Sequence, residues 1–337
     1  MITTVGLKTL MWIALGLFLL TLPLILVASV VSYIYYYVRK NFLSMLERIF
    51  EEKPLFIIPR GEPDPSAEDI RFSGPDGMHL QGCYFKTSTA TRQGVVLFGI
   101  EYGSDRWSCR SYCEPLIQAG YDVFVYEPRN QGKSDFIPNY DPLQWVTTNE
   151  IADAKAAIEY LKSRPDRDPK GIGIFGVSKG ANAALAVAAQ DPWVRSVVTD
   201  GAFGLLSVVV PYMRHWIGIY NRDFLVHGLL PAWFYSHIAW IGVRRVEKRR
   251  NVEFVHVEEP MTKFQAPILM IHGEADSYIK VEMARTLFKK AKGPKDLWVV
   301  PKARHNQAIA VSPDEYARKV ISFFDQHLRP NTSFPKK

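Results

Sequence analysis

The stretch Gly176-Val177-Ser178-Lys179-Gly180 lies between the apolar run Ile172 to Phe175 and the alanine-rich run Ala181 to Gln190. A β-branched run, a glycine-flanked serine and a strong helix former read in that order as strand, sharp turn and helix. The turn holds the serine backbone in a strained conformation. The flanking glycines are needed because Cβ atoms there would collide with neighbouring strand and helix. The result is an Oγ lifted above the sheet with a helix N-terminus beneath it. The N–H of Lys179 then points to where a tetrahedral oxyanion would form.

Outward from this turn the pattern repeats. Strands are expected at Gly94 to Gly99, Asp122 to Tyr126, Gly171 to Gly176, Val194 to Thr199, Pro267 to Ile271 and Asp296 to Val300. Helices are expected near Arg106 to Ala119, Asn149 to Ser163, Lys179 to Gln190, Val281 to Ala291 and Pro313 to His327. Such alternation implies an α/β fold, a doubly wound, mostly parallel sheet with helices on both faces. Gly74-Pro75-Asp76-Gly77, between alternating apolar positions, adds a β-hairpin at a sheet edge. Residues 201–260 interrupt the alternation between the fourth and fifth parallel strands. They carry Tyr212, Trp216 and Tyr220 at helical spacing, then Trp233, Phe234, Tyr235 and Trp240, and close on Arg244, Arg245, Lys248, Arg249 and Arg250. A structureless loop of that size is improbable, so the segment reads as a helical lid. Its aromatics either pack on the domain below or serve an acyl-binding or membrane-facing role.

Two further loops follow strand ends. His272-Gly273-Glu274-Ala275-Asp276 comes after one, and Pro301-Lys302-Ala303-Arg304-His305-Asn306 after the other. Serine, acid and histidine thus occur in the order Ser178, Asp276, His305. A neutral serine hydroxyl is a poor nucleophile. His305 would take its proton and return it to the leaving group, and Asp276 would fix the imidazole tautomer and stabilise the imidazolium. Asp200 and Glu274 are alternative acids. Against these catalytic readings stand bland ones: a helix N-cap for Ser178, a surface histidine for His305 and a helix-capping aspartate for Asp276. Gly171-Ile172-Gly173-Ile174-Phe175-Gly176 spells a dinucleotide fingerprint, but a loop precedes it rather than a strand, so nucleotide binding is set aside.

On these residues the chain resembles the α/β-hydrolase fold superfamily, and within it the membrane-anchored serine hydrolases that act on lipid esters and acylated proteins. The resemblance spans roughly residues 67–328 and extends to Glu127-Pro128-Arg129-Asn130-Gln131-Gly132-Lys133-Ser134, similar to the family's Arg-x-x-Gly-x-Ser turn. It implies hydrolysis of carboxylic esters or thioesters through an acyl-enzyme on Ser178, with no metal or organic cofactor. A peptidase of the same fold, or a catalytically silent membrane scaffold, are the other readings. Where many members carry His-Gly, this chain has Gly99-Ile100-Glu101-Tyr102-Gly103. The second oxyanion donor beside Lys179 is then the N–H of Glu101, whose carboxylate must point away or be paired.

At the N-terminus, no charged residue occurs from Leu10 to Val38, more than the roughly 20 residues a membrane-spanning helix needs. A cleaved signal peptide is the competing reading. Tyr33, Tyr35, Tyr36 and Tyr37 resemble an interfacial aromatic belt, followed by Arg39 and Lys40. The expected organisation is an anchor over residues 1–40, an amphipathic then proline-broken connector over 41–66 lying along the membrane surface, a catalytic domain over 67–328 and a tail over 329–337. More basic residues follow the apolar run than precede it, which places the domain on the cytoplasmic side of a single-pass anchor. The whole chain has 337 residues, 47% of them hydrophobic, and a net charge of +7. The basic residues are scattered and accompany no nucleic-acid motif, so an anionic bilayer is the expected partner and nucleic acid is not. Cys83, Cys109 and Cys113 lack zinc-ligand spacing and are expected to be reduced thiols.

Overall fold

The computed structural model describes residues 4–51, 58–220 and 231–328. The proline-bearing residues 52–57 of the expected connector, residues 221–230 of the lid and the tail 329–337 lie outside the described residues.

The strands are β1 (Glu68–Ser73), β2 (His79–Phe85), β3 (Gly94–Gly99), β4 (Tyr121–Glu127), β5 (Ile172–Val177), β6 (Val194–Asp200), β7 (Ile268–Gly273) and β8 (Lys295–Val300). They form one sheet in the order β1-β2-β4-β3-β5-β6-β7-β8. The β1–β2 hairpin joins β4 antiparallel, and every other pairing is parallel. Strands β3, β4, β5 and β7 are buried along their whole length. That is why their central residues are apolar without alternation, the buried Asp122 and Glu127 lying towards the ends of β4. Leu97, Phe124 and Ile174 enter one core layer with Ile158 and Leu185, while Phe98, Val125 and Phe175 enter the other with Leu116 and Phe324. Helices α2 (Arg110–Gln118), α3 (Thr148–Ser163) and α4 (Lys179–Ala188) supply three of these packing partners. Parallel registers align the strand ends: Gly99 pairs with Gly176, Val177 with Asp200, Asp200 with Ile271 and Gly273 with Val300. The loops after β5, β6, β7 and β8 therefore meet at one edge, where ligands bind in sheets of this kind. Gly173 lies inside β5, and a Cβ there would stand 2.5 Å from the Phe324 ring, so it serves helix packing rather than a phosphate.

The lid is helical, with α5 (Leu205–Tyr220) and α6 (Ala232–Arg250). It forms a third apolar cluster in which Trp145 and Phe203 meet Phe234, Val243, Val246 and Phe254. Of the lid aromatics expected at helical spacing, Tyr212 is half-buried, whereas the side chains of Trp216 and Tyr220 lie outside the described residues.

The N-terminal helix α1 runs without interruption from Thr4 to Glu51. Residue 40 is thus not a break between anchor and connector, because no strong helix breaker occurs between Pro23 and Pro54. Its segment Thr9–Met45 contains an 18-residue window of mean hydropathy 2.6 and is long and apolar enough to cross a membrane. The amphipathic face expected over residues 41–50 is covered by the lid. Phe42, Leu43 and Phe50 are buried against the lid, and Phe50 sits 5.1 Å from the Trp145 ring and 5.4 Å from the Phe254 ring. Burial of an apolar face on protein removes it from water as effectively as burial in a headgroup layer. Phe50→Ala is expected to lower unfolding free energy by about 3–5 kcal/mol in denaturant titrations of the detergent-solubilised chain. The exposed Phe136→Ala should stay within about 0.5 kcal/mol.

Candidate active site

Ser178 stands between β5 and α4 with φ 50° and ψ −114°, outside the allowed regions for an L-residue. The strain persists because the turn is closely packed. A Cβ on Gly176 would lie 2.4 Å from the Gly180 carbonyl oxygen, and one on Gly180 would lie 2.2 Å from that of Gly99. The Ser178 side chain caps no helix N–H, so the N-cap reading falls away. Its Oγ lies 3.1 Å from Nε2 of His305. Nδ1 of His305 lies 2.7 Å from Oδ2 of Asp276. The other carboxylate oxygen, Oδ1, accepts the N–H groups of Tyr278 (2.9 Å) and Ile279 (2.8 Å), which fixes the acid's orientation. The three residues expected from the sequence are thus brought together in the expected order.

The alternative acids are placed elsewhere. Glu274 is exposed, its Oε2 facing the N–H of Lys302. Asp200 is fully buried at the end of β6 and accepts a hydrogen bond from Tyr316 (2.9 Å), while its other oxygen has no hydrogen-bond partner.

Lys179 opens α4, so its N–H belongs to the helix-start donors that lack an intrahelical acceptor. Its side chain turns inward, and Nζ donates to Glu150 at 2.6 Å. Glu150 also accepts from Tyr140 (2.5 Å) and from Thr147, whose capping box with Glu150 starts α3. Burial raises the Glu150 carboxyl, but the Lys179 ammonium together with the Thr147 and Tyr140 hydroxyls outweighs it and holds the group below the usual carboxylate range. Glu101, the other expected oxyanion residue, follows β3 and is buried; Nδ2 of Asn306 donates to its Oε2 at 2.8 Å. Burial pushes this carboxyl up, against the Asn306 hydrogen bond and the His305 charge. The paired carboxylate required by the sequence is present, and its partner is the residue next to the histidine.

Sequence reasoning missed Asn306, His272 and Tyr278. His272 is buried, and its Nε2–H donates to the Ile279 carbonyl at 2.7 Å, fastening the loop that carries Asp276. Tyr278 places its ring 5.5 Å from that of His305. Adjacency to Asp276 and His305 was the one available signal for each. In the Arg-x-x-Gly-x-Ser turn, Arg129 pairs with Asp153 (2.7 Å) and Ser134 Oγ donates to the Glu127 carbonyl (2.5 Å), so its role is to brace β4. A cavity of about 750 Å³ lies between α5, α6 and the helix Val281–Lys290, lined by Leu206, Val210, Ser236 and Met283. Its walls include none of Ser178, Asp276 and His305. Among the described residues no cluster of metal-binding side chains occurs.

Burial pushes the Asp200 carboxyl up to about 7, with the Glu101 and Asp276 charges adding to the rise and Tyr316 and His305 opposing it. A folded-state value above the unfolded one stabilises the fold fully below about pH 4, and that contribution is lost as pH rises through about 7. Stability measured by denaturant titration should fall across this window by on the order of a few kcal/mol. Asp200→Asn should flatten that slope.

Comparison with known proteins agrees with this architecture. The profile of the prolyl oligopeptidase family matches residues 116–331. An uncharacterised protein, YfhR, of Escherichia coli O157:H7 is 25% identical over 276 residues, covering 80% of this chain and 84% of its own. A thiohydrolase of Arthrinium phaeospermum is 41% identical over 214 residues, covering 58% of this chain and 66% of its own. A solved esterase of Pyrococcus furiosus superposes with a TM-score of 0.60 at 23% identity, covering 82% of this chain and 100% of its own, and speaks for the fold alone. The strand order, the elbow and the extent of the family match lead to one conclusion: this chain belongs to the prolyl oligopeptidase family and has the α/β-hydrolase fold of its hydrolases.

Proposed function

We propose that this chain is a membrane-anchored serine hydrolase that cleaves carboxylic esters or thioesters through an acyl-enzyme on Ser178. The observation that carries the proposal is the continuous contact from Ser178 Oγ to His305 to Asp276. A carboxylate oxygen only accepts, so the proton of the neutral imidazole sits on Nδ1 and leaves the Nε2 lone pair facing the serine. His305 takes the Oγ proton as the serine attacks the acyl carbon, and delivers it to the leaving alcohol or thiol. The acyl-enzyme is then hydrolysed by water activated by the same histidine. The developing oxyanion is met by the N–H of Lys179 at the N-terminus of α4, with the N–H of Glu101 as the second donor. Asn306 keeps the Glu101 carboxylate occupied, which limits its repulsion of that charge.

Ester or thioester chemistry is favoured by the likeness to a thiohydrolase. The apolar helix α1 and the aromatic lid favour an amphiphilic acyl substrate, such as a lipid ester or an acylated protein. The positive-inside bias favours a cytoplasmic domain. A peptidase is the second reading, because the family it belongs to is that of prolyl oligopeptidase.

Labelling with a fluorophosphonate tests the nucleophile. Wild type is expected to label, Ser178→Ala not at all, and equal labelling of the two would refute the assignment. Ser178→Ala and Asp276→Asn should each lower kcat by about 10⁴-fold or more. Detergent-dispersed long-chain esters and thioesters should be turned over faster than peptide amides. Preferential cleavage of amides would move the assignment to a peptidase, and turnover confined to short soluble esters would remove the amphiphilic substrate.

A further inference from the structure

The contacts between α1 and α6 have a constant register. Tyr35 lies beside Phe234, with ring centroids 6.1 Å apart, and its hydroxyl is 3.4 Å from Nε2 of His237. Further along, Glu47 meets Arg245 (3.4 Å) and Arg249 (2.9 Å), and Glu51 meets Arg249 (2.9 Å) and Arg250 (3.0 Å). The hydrogen-bonded partners are separated by 198 to 202 residues throughout, so the two helices run side by side and parallel. Between these polar ends Val38, Phe42, Leu43 and Phe50 of α1 share one apolar cluster with Ile238, Ala239, Val243 and Val246 of α6. Rings pack at one end of this seam and ion pairs meet at the other.

The same offset sets Trp233 level with residues 31–35 of α1. That level is where the exposed apolar surface of α1, continuous from Leu7 to Val31, gives way to the exposed Tyr33 and Tyr36, with Arg39 and Lys40 beyond. Trp233 is itself 63% exposed, whereas its neighbours Phe234 and Tyr235 are about 1% exposed. An exposed tryptophan at the height of a tyrosine belt has the chemistry of a headgroup-layer anchor, an apolar ring with one N–H for the wet side. Arg244, 60% exposed by its side chain, lies 11 residues further along α6, about 16 Å from Trp233 at 1.5 Å per residue, on the side away from the apolar surface.

We propose that the first turn of α6 lies in the headgroup layer of the bilayer, with Trp233 inserted at its surface and the depth set by the seam with α1. The partner is a lipid surface, and the lid faces it, so a substrate drawn from the membrane meets the lid without crossing bulk water. The proposal rests on α1 spanning the bilayer.

Its test uses the full-length chain in phosphatidylcholine vesicles. Cys83, Cys109 and Cys113 are fully buried, so a thiol-reactive fluorophore reports on one introduced cysteine. Three variants are labelled, Trp233→Cys, Leu17→Cys and Arg244→Cys, each at an exposed position, and lipids carrying nitroxide quenchers at shallow or deep positions are added. Trp233→Cys should be quenched by the shallow label, Leu17→Cys by the deep one, and Arg244→Cys by neither. Deep quenching at position 17 with none at 233 overturns the proposal while leaving the anchor intact. Absence of quenching at both positions overturns the anchor and the proposal together. Equal shallow quenching at 233 and 244 overturns the depth assignment, because α6 would then lie flat on the surface.

Discussion

The distance that organises this molecule is the one between two backbones, α4 and the end of β3. Gly180 and Gly99 approach so closely that a methyl group on Gly180 would stand 2.2 Å from a carbonyl oxygen. That approach presses the start of α4 into the edge of the sheet. The residue before it has no room for an ordinary conformation, and Ser178 takes φ 50°. The strained serine is thereby lifted to the histidine on the loop after β8. Removing the close approach would relax the turn and lower the hydroxyl away from Nε2. The strain is offset by the packing of a buried, alanine-rich helix on two strands.

Polar groups around the elbow are buried in pairs rather than singly. Glu150 takes Lys179, Tyr140 and Thr147, Glu101 takes Asn306, and Asp276 takes His305 and two backbone N–H groups. Each pairing gives a buried acid hydrogen-bond partners close to the site. Asp200 differs from these, with one oxygen bonded to Tyr316 and the other unmatched, and burial pushes its carboxyl towards neutrality. The site also reaches the lid through this network. Thr147, which caps α3 and bonds Glu150, pairs by a β-bridge with Phe254 at the lid's base.

What was legible in the sequence was whatever is governed by local rules. The buried parallel strands announce themselves as continuous apolar runs, and each predicted strand is found within one or two residues of its expected ends. The elbow, the acid and the histidine were legible because each sits at the end of such a run. Asn306 and His272 were not, since an amide or imidazole that braces a loop leaves no periodic trace. Nor was the inward face of residues 42–50, where an amphipathic helix reads the same whether its apolar side meets lipid or protein. Only the partner decides, and that partner, α6, lies some two hundred residues away in the chain.

That separation has a consequence for synthesis. The α1 face carrying Val38, Phe42, Leu43 and Phe50 leaves the ribosome early, but the helix that covers it follows 198 to 202 residues later. At about 5 to 20 residues per second, the face stays uncovered for about 10 to 40 s, long after shorter-range contacts have formed. During that interval β3, β4 and β5 emerge and can pair, while the α1 face has no lid to cover it. The lid covers that face once α6 emerges, before β7 and β8 have been made, and until then a phenylalanine-bearing surface waits without its partner.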